Sequence, residues 1–243
     1  MAKKTKISWC TTTVNPISGC TRFSAACQNC TVYPDTIRLQ NNPLTDRYRA
    51  GFDQVVFHPK ALREPYTYSK PEIVYVGNMS DIGHEAVTDD QVKAIFKMMN
   101  DLPDHVFLIL TKRSKRLVEF NGIVNWASNI GAGVSVELAD YVDRIDDLRR
   151  SDARLKFLVL EPLLGPLPNL NLSGIGWVIV GGETGKGCRP MDPAWALDIR
   201  DQCAAAGVPF YFNQNGGRKR DKGGDILDGN RYHQYPQMIA AIR

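Results

Sequence analysis

The sequence has no apolar run near the roughly 18 residues that a membrane-spanning helix needs. Its first residues, MAKKTKISW, are basic, but the apolar segment of a secretory signal peptide does not follow them. We therefore expect a cytoplasmic protein with no membrane partner. Because disulfides rarely persist in a cytosol, this disfavours a disulfide framework for the six cysteines.

The sequence also lacks low-complexity tracts and repeats of about 20 to 50 residues, which excludes solenoids and propellers. Instead, short apolar runs alternate with helical patterns. The runs are EIVYVGN (72–78), HVFLILT (105–111), IGAGVSV (130–136), LKFLVLE (155–161), GWVIVGG (176–182) and VPFYFNQ (208–214). Nearly continuous apolar runs of this kind are typical of strands buried on both faces of a parallel sheet.

Four segments between these runs have the pattern of helices. TDDQVKAIFKMMNDL (88–102) offers Thr88 as a cap, and DPAWALDIRDQCAAAG (192–207) has an Asp-Pro start and a glycine end. The other two are SKRLVEFNGIV (114–124) and LADYVDRIDDLRR (138–150).

The spacing from strand to strand, about 20 to 35 residues, matches a βα unit. We predict an α/β fold, namely a partial or complete TIM-like (β/α) barrel of six to seven mostly parallel strands, the seventh preceding the cysteines. A doubly wound open sheet is the alternative. We treat residues 1–243 as one domain, with residues 215–243 as a carboxy-terminal extension.

Polar side chains follow every predicted strand. They are Asn78, Ser80, Asp81, Thr111, Lys112, Ser135, Glu137, Glu161, Glu183, Arg189, Asn213 and Gln214. In barrels the active site lies at the carboxyl ends of the strands, where such groups meet. The sequence therefore predicts one polar site at this edge of the sheet.

The formal net charge of +4 is mild and does not by itself indicate nucleic acid. Two local basic runs stand out, TKRSKR (111–116) and GGRKRDKGG (216–224). Each is either a solvated surface or a site for a phosphate or carboxylate.

Three of the six cysteines, Cys20, Cys27 and Cys30, fall within residues 15–34. The C-x-x-C spacing of Cys27 and Cys30 lets two thiolates bind one metal centre. With Cys10 as a fourth ligand the set would form a structural zinc site, although WCTTTV lacks the second C-x-x-C usual there. With three thiolates alone, residues 15–34 would be a cluster-binding loop for a four-iron cluster with one iron free of protein ligands.

The outlying cysteines suggest less. Cys203 lies in an alanine-rich helical segment, and we predict that it belongs to the core. Cys188 lies in a glycine-rich stretch after a predicted strand, and its role stays open.

Eight motifs occur in order along nearly the whole chain. They are ISW, NPISGCTRFSAACQNC, VGNMSDIGHEAV, FLILTKRSKRL, NIGAGVSVE, FLVLEPLLGPL, WVIVGGETGKGCRPM and QCAAAGVPFYFNQ. Through these motifs the sequence resembles a phage-associated radical-SAM-like family with a three-cysteine motif. That family has long been carried as a domain of unknown function. That family has six residues between its first two cysteines, where most radical SAM enzymes have three.

The sequence departs from this family at several positions. Val14 replaces a usual Trp, Ala26 replaces a glycine, and Thr31 replaces an aromatic residue. A Lys-Gln-Trp pattern has become Asn213-Gln214-Asn215 (213–215). Because all three cysteines are kept, the resemblance bears more directly on the cluster than on the substrate.

The resemblance implies a barrel of the radical SAM type with a [4Fe-4S] cluster and S-adenosyl-L-methionine as cofactors. Cys20, Cys27 and Cys30 would ligate the cluster. The other implied cofactor-binding residues follow the strands. Asn78, Ser80 and Asp81 would lie near the methionine amino group. Lys112 would pair with the methionine carboxylate.

The remaining implied contacts are to the nucleoside. Ser135 and Glu137 would bond the ribose or the methionine end. Gly181, Gly182 and Glu183 would receive the adenine or ribose. Two further residues keep plainer interpretations: Glu161 as part of a salt bridge at the barrel mouth, and His84 as a packed or capping loop histidine that has a substrate role as its alternative.

The leading hypothesis is therefore an enzyme that reductively cleaves S-adenosylmethionine to methionine and a 5′-deoxyadenosyl radical, which takes hydrogen from a substrate at the barrel mouth. A flavodoxin or ferredoxin would donate the electron. The basic run at 111–116 and the phage association point to a nucleic-acid base or nucleotide in the host cytoplasm, through DNA modification or photoproduct repair. Whether a neighbouring gene supplies a partner protein stays open.

Two alternatives belong to other classes. One is a zinc-stabilised, non-catalytic nucleic-acid-binding protein that uses Cys10, although no helix-turn-helix, RNA-binding or zinc-finger signature is present. The other is a cluster protein that transfers a methyl or aminocarboxypropyl group from S-adenosylmethionine without a radical.

Overall fold

Seven parallel strands form the main sheet of the protein in the computed structural model, which describes residues 5–43, 45–218 and 222–242. The strands are β1 (Thr12–Val14), β2 (Ile73–Val76), β3 (Val106–Thr111), β4 (Ile130–Ser135), β5 (Leu155–Leu160), β6 (Trp177–Gly181) and β7 (Phe210–Gln214). They pair in chain order from β1 to β7. The predicted α/β fold with a partial barrel is confirmed, whereas the doubly wound sheet, whose strand order would reverse, is wrong.

Helices follow the strands along the chain, and all but the first and last of those described cover one face of the main sheet. They are α1 (Val32–Gln40), α2 (Asp89–Asn100), α3 (Lys115–Phe120), α4 (Arg144–Arg150), α5 (Pro193–Ala206) and α6 (Gln237–Ala240). Short 3₁₀ turns span Ala25–Asn29, Pro59–Arg63, Pro65–Thr67 and Ala139–Tyr141. Outside the main sheet, Ile17–Ser18 pairs with Val56–Phe57 and Ile226–Leu227 pairs with Asn230–Arg231, both antiparallel.

The predicted helix ends are confirmed at two helices by their caps. Thr88 and Gln91 form a reciprocal capping box at the start of α2, with hydrogen bonds of 3.3 and 3.2 Å. Asp192 accepts a hydrogen bond of 2.9 Å from the amide of Ala194 at the start of α5. Gly207 ends α5 with φ of +65°, a conformation that glycine adopts without strain.

The two faces of the sheet are both buried, but against different partners. The face that packs against the helices carries Val74, Phe107, Leu158, Val178 and Phe212. The opposite face carries Ile73, Leu108, Phe157, Trp177 and Tyr211, and it packs against Trp9 and Ile239 from the two ends of the chain. Because both faces are apolar, the strands appear in the sequence as nearly continuous hydrophobic runs.

Glycine in β4 makes room for an aromatic ring from β5. A Cβ atom at Gly133 would lie only 2.4 Å from the ring of Phe157. The ring can therefore cross this strand only where β4 has no side chain.

The chain ends close onto the open sheet. The ring of Trp9 lies 4.9 Å from that of Tyr75 and 6.3 Å from that of Trp177, so it bridges β2 and β6. Past β7, the amide of Phe212 donates to the carbonyl of Tyr232 at 2.7 Å, which covers the free edge of that strand. Residues 219–221 of the second basic run lie outside the described residues.

None of the helices in the described part of the chain combines the length and apolar composition that crossing a membrane requires.

Candidate functional site

Residues 15–34, which carry Cys20, Cys27 and Cys30, form the cysteine segment. This segment lies across the carboxyl ends of the strands. Gly19 forms a bridge with Ser80, just after β2, and the amide of Cys20 donates to the carbonyl of Phe52 at 2.7 Å. Gly19 has φ of +84°, and a Cβ there would lie 1.9 Å from the carbonyl oxygen of Gln54. Only glycine allows the backbone to pass here and present Cys20 to the strand ends.

All three cysteines line one cavity of about 130 Å³. Five of the predicted cofactor-binding residues line it as well: Asn78, Ser80, Asp81, Lys112 and Ser135. The apolar part of the wall includes Phe52, Tyr75 and Leu110. The structure thus brings the cysteines together with the ends of β2, β3 and β4, as the sequence predicts.

Asp81 is fully committed to local hydrogen bonds. It accepts from the amide of Gly83 at 2.9 Å, from the amide of Lys112 at 3.1 Å, and from the hydroxyl of Thr111. It also accepts from Nη1 of Arg113 at 3.2 Å. This carboxylate therefore joins the ends of β2 and β3 and holds a buried arginine in place.

Arg113, which sequence reasoning did not single out, is the centre of the Cys20 side of the site. Its Nε donates to Glu85 at 2.9 Å, and its Nη2 donates to the hydroxyl of Thr21 at 2.9 Å. Its Nη1 lies 3.9 Å from Sγ of Cys20. Arg113 is one of four cations in the run 111–116, and the sequence does not tell which of them turns inward.

His84 supports the same segment. Its Nδ1 accepts from the amide of Ala86 at 3.1 Å, so its Nε2, 2.9 Å from the hydroxyl of Thr21, carries the proton and donates. Burial, and then the charge of Arg113, lower the pKa of His84 below its usual value. The histidine is therefore a neutral packing residue beside Cys20, in agreement with its plainer interpretation.

The electrostatics at Cys20 favour a neutral thiol. Burial and the nearby Asp81 raise the pKa of Cys20 to about 11, while Arg113 acts in the opposite direction. Because a metal binds the thiolate, ligation here would displace a proton.

Glu137 does not line the cavity but fixes the middle of the cysteine segment. It is buried, accepts from Nη1 of Arg144 at 2.9 Å, and accepts from the amide of Ala26 at 3.4 Å. Arg144 also donates to the carbonyl of Ser135 at 2.7 Å. The predicted ribose ligand thus contacts the loop that carries Cys27.

Glu183 fixes the far side of the segment in a similar way. It accepts from Nδ2 of Asn29 at 2.9 Å and from the amide and Nε of Arg189 at 2.8 and 2.9 Å. Arg189 in turn donates through Nη2 to the carbonyl of Ala25 at 3.0 Å. Burial opposes ionisation of Glu183, but the hydrogen bonds from Arg189 and Asn29 outweigh it, so the pKa of Glu183 is lowered.

Three ion pairs at the strand ends have the same arrangement. Each has an acid that follows a strand and an arginine beside the cysteine segment: Asp81 with Arg113, Glu137 with Arg144, and Glu183 with Arg189. We call them the three strand-end pairs. In two of them, Asp81 with Arg113 and Glu137 with Arg144, both side chains are buried, and breaking such a pair by removing one partner costs about 3–5 kcal/mol. The pairs therefore hold the segment in a fixed place before any ligand arrives.

Gly181 and Gly182 do not line the cysteine cavity either. A Cβ at Gly182 would lie 2.3 Å from the carbonyl oxygen of Asn215, and the Gly182 amide donates to the carbonyl of Gln214 at 3.0 Å. Glu161 accepts from the side-chain amides of Asn213 and Gln214 and has no ion pair among the described residues, so the salt bridge expected for it is not found there. The glycine turn is thus packed against the residues that follow β7.

The other cysteines lie outside the cavity. Cys10 is buried on the face of the sheet opposite the helices, with Sγ 3.8 Å from the carbonyl oxygen of Ile7. Cys203 is fully buried in α5, which confirms its place in the core. Cys188 follows Gly187, whose carbonyl accepts from Asn29, so it lies beside the cysteine segment.

Two observations bear on what the cavity can hold. Oδ1 of Asn78, a lining residue, is buried with no hydrogen-bond partner in the described structure. In the same described ranges, no group of three or more His, Cys, Asp or Glu side chains is arranged to hold a single metal ion. A four-iron cluster makes a different demand, because its three thiolates bind three separate irons around a compact body.

A comparison with protein families covers residues 4–236 of the chain, and the matching family is described as "Protein of unknown function (DUF5131)". The chain belongs to this family. Searches of curated proteins and of solved structures found no match. The description of the family names no activity, so the resemblance to radical-SAM-like proteins stays a prediction.

Proposed function

We propose that the protein is an iron–sulfur enzyme that reductively cleaves S-adenosylmethionine and acts on a nucleic-acid base or nucleotide. The observation that supports this proposal most directly is the cavity that Cys20, Cys27 and Cys30 share with the polar ends of β2, β3 and β4. Three thiols, an orphaned buried amide oxygen and a lysine make a donor set for a cluster with an amino-acid ligand beside it.

The residues of the chain would divide the work. Cys20, Cys27 and Cys30 would hold the [4Fe-4S] cluster, and Oδ1 of Asn78 would accept a hydrogen bond from the methionine amino group. Lys112 has no ion pair within the described residues, so its ammonium is available for the methionine carboxylate. Asp81 and Glu137 would act by holding Arg113 and Arg144, and through them the cysteine segment.

The bound cluster would supply the electron that splits S-adenosylmethionine into methionine and a 5′-deoxyadenosyl radical, with a flavodoxin or ferredoxin as its source. The protein would position the substrate and exclude water. The cavity of about 130 Å³ is smaller than the roughly 300–1,000 Å³ of typical ligand clefts, so a nucleoside would extend beyond it.

The position of Cys10 weighs against the zinc alternative. Cys10 lies among the apolar side chains of the other sheet face and does not line the cysteine cavity. A four-cysteine zinc site would require it to join the other three.

The test is anaerobic purification and reconstitution, followed by iron, sulfide and zinc quantitation and an absorbance spectrum. We expect about four irons and four sulfides per chain, a brown chromophore, and 5′-deoxyadenosine on reduction with S-adenosylmethionine. Replacing Cys20, Cys27 and Cys30 together by alanine should abolish the chromophore, and Cys188→Ala is the matched control that should keep it.

Other results would redirect the assignment. One zinc per chain, released by Cys10→Ala, would establish the zinc protein instead. Methylthioadenosine or S-adenosylhomocysteine in place of 5′-deoxyadenosine would establish a non-radical transferase.

A further inference from the structure

A groove of about 760 Å³ adjoins the cysteine cavity. It runs between the start of α3 and the stretch from Asp140 to Asp147 (140–147). Lys112 and Arg113 line both the groove and the cavity, so the two spaces meet at the end of β3. A groove of this volume lies within the range of ligand clefts, which the cysteine cavity does not reach.

Flat groups are stacked along the groove. The guanidinium carbon of Arg113 lies 4.7 Å from the ring centre of Phe23, and that of Arg144 lies 5.6 Å from the same ring. Arg144 also lies 4.2 Å from the ring centre of Tyr141. Phe23 remains 49% exposed although it sits in the cysteine segment. Aromatic rings and guanidinium planes are the surfaces on which unpaired bases stack.

The arginines of the groove are already neutralised. Arg113 pairs with Asp81 and Glu85, and Arg144 pairs with Glu137. Arg116 pairs with Asp89 and Glu119. Arg113 and Arg144 each expose only 7% of their side chains, so they hold the rings of Phe23 and Tyr141 in place and offer a ligand little surface or free charge.

The free charges of the groove lie on opposite walls. Lys112 and Lys115, beside β3 and α3, have no ion pair within the described residues. Asp140 and Asp143, on the stretch that follows β4, likewise have none there. A ligand that fits both walls carries an anion at one end and hydrogen-bond donors at the other.

We propose that this groove binds a nucleoside 5′-phosphate with an unpaired base. The phosphate contacts Lys115, the base stacks against Phe23 and Tyr141, and base N–H or sugar hydroxyl groups donate to Asp140 or Asp143. A duplex is excluded, because its continuous phosphate backbone would meet the acidic wall and its bases would be paired. As a substrate site, this assignment rests on the proposed function, since it delivers the base beside the cysteine cavity; as a binding site, it does not depend on the cluster.

The experiment measures binding of fluorescent probes to the purified full chain without reconstitution. The probes are labelled deoxynucleoside 5′-monophosphates, a single-stranded octanucleotide and the duplex of the same sequence, with the unphosphorylated nucleosides and inorganic phosphate as competitors. Lys115→Ala should weaken binding of the mononucleotide about tenfold, since it removes one charge-assisted contact to the phosphate. Asp143→Asn is the second variant. The matched control is Lys93→Ala, which replaces an exposed lysine on α2 that does not line the groove.

The probes distinguish a free nucleotide from a nucleotide within a single-stranded nucleic acid. Mononucleotide binding that Lys115→Ala weakens and Lys93→Ala leaves unchanged supports a free nucleotide. Tighter binding of the octanucleotide with the same dependence supports single-stranded nucleic acid. Asp143→Asn should change the preference among the four bases.

Four results would overturn the proposal. They are no binding of any probe, equal competition by inorganic phosphate, duplex binding as tight as that of the single strand, and an affinity that Lys115→Ala and Lys93→Ala change to the same extent. Nucleotide binding by a protein that forms no cluster would leave the groove assignment standing while the proposed chemistry fails. A cluster protein that binds no nucleotide would do the reverse.

Discussion

The two ends of the cysteine segment are held by the same kind of ion pair in different surroundings. At the Cys20 end, Arg113 and Asp81 expose only 7% and 9% of their side chains. At the Cys27–Cys30 end, Glu183 is 3% exposed, but its partner Arg189 is 33% exposed. Solvent screens the second pair more, so its arginine contributes less stability. The comparison indicates a segment anchored firmly at Cys20 and more loosely near the C-x-x-C.

The largest effect is expected at the buried end. Arg113→Met removes the partner of Asp81 and the contact to Thr21, and it should lower the free energy of unfolding by about 3 kcal/mol. Urea unfolding would measure this. Arg38→Met, which breaks only the exposed pair with Asp35, is the control and should change little. Equal effects of the two variants would contradict the role of Arg113.

A smaller effect is expected in the middle of the segment. Glu137→Gln keeps an acceptor for the amide of Ala26 but leaves the buried Arg144 without its counter-charge. We expect a loss of about 2 kcal/mol in urea unfolding, together with faster hydrogen exchange at the Ala26 amide. Unchanged exchange at Ala26 would show that Glu137 does not hold the loop.

The end of the cysteine segment near Cys27 and Cys30, where the arginine is partly exposed, should respond least to loss of that arginine. Arg189→Met removes the hydrogen bond to the carbonyl of Ala25, yet it should cost only about 1 kcal/mol, because water screens this charge. Hydrogen exchange should rise at residues 25–30 and stay unchanged at Thr21. A loss as large as that of Arg113→Met would break the comparison between the two ends.

Acid should further weaken the ion pair between Glu183 and Arg189 near Cys27 and Cys30. Because the folded pKa of Glu183 is lowered, its contribution to stability is present above the unfolded pKa and is lost as the pH falls through the folded value. The protection factor of the Arg189 amide, which donates to Glu183, should therefore fall below about pH 4 once the slower intrinsic exchange in acid is corrected for. Glu183→Gln should remove this part of the pH dependence; a variant with the wild-type pH profile would refute it.

Much of the fold could be predicted because local patterns specify it. The apolar runs that became β2 to β7 are buried on both faces, and Thr88, Asp192 and Gly207 mark helix ends through bonds within a few residues. Asn78, Ser80, Asp81, Lys112 and Ser135 were placed at one edge by the rule that parallel strands end together.

The roles of the strand-end acids could not be predicted in the same way. The sequence predicts that Asp81, Glu137 and Glu183 bind a cofactor, but it does not predict that each bonds an arginine that touches the cysteine segment. The sequence shows the acids but not their partners, because the choice among several cations depends on which side chain is buried beside them.

The sequence by itself determined the parallel strands, the helix ends and the grouping of three cysteines, because those follow from hydrophobic pattern, backbone propensity and spacing along the chain. Only the tertiary structure decided that Cys20, Cys27 and Cys30 line one cavity, that Cys10 does not, and that Phe23 faces a groove. The physical reason is distance along the chain. The contact between Arg189 and Ala25 joins residues 164 positions apart, and such a bond forms only when the folded sheet brings its strand ends to one edge.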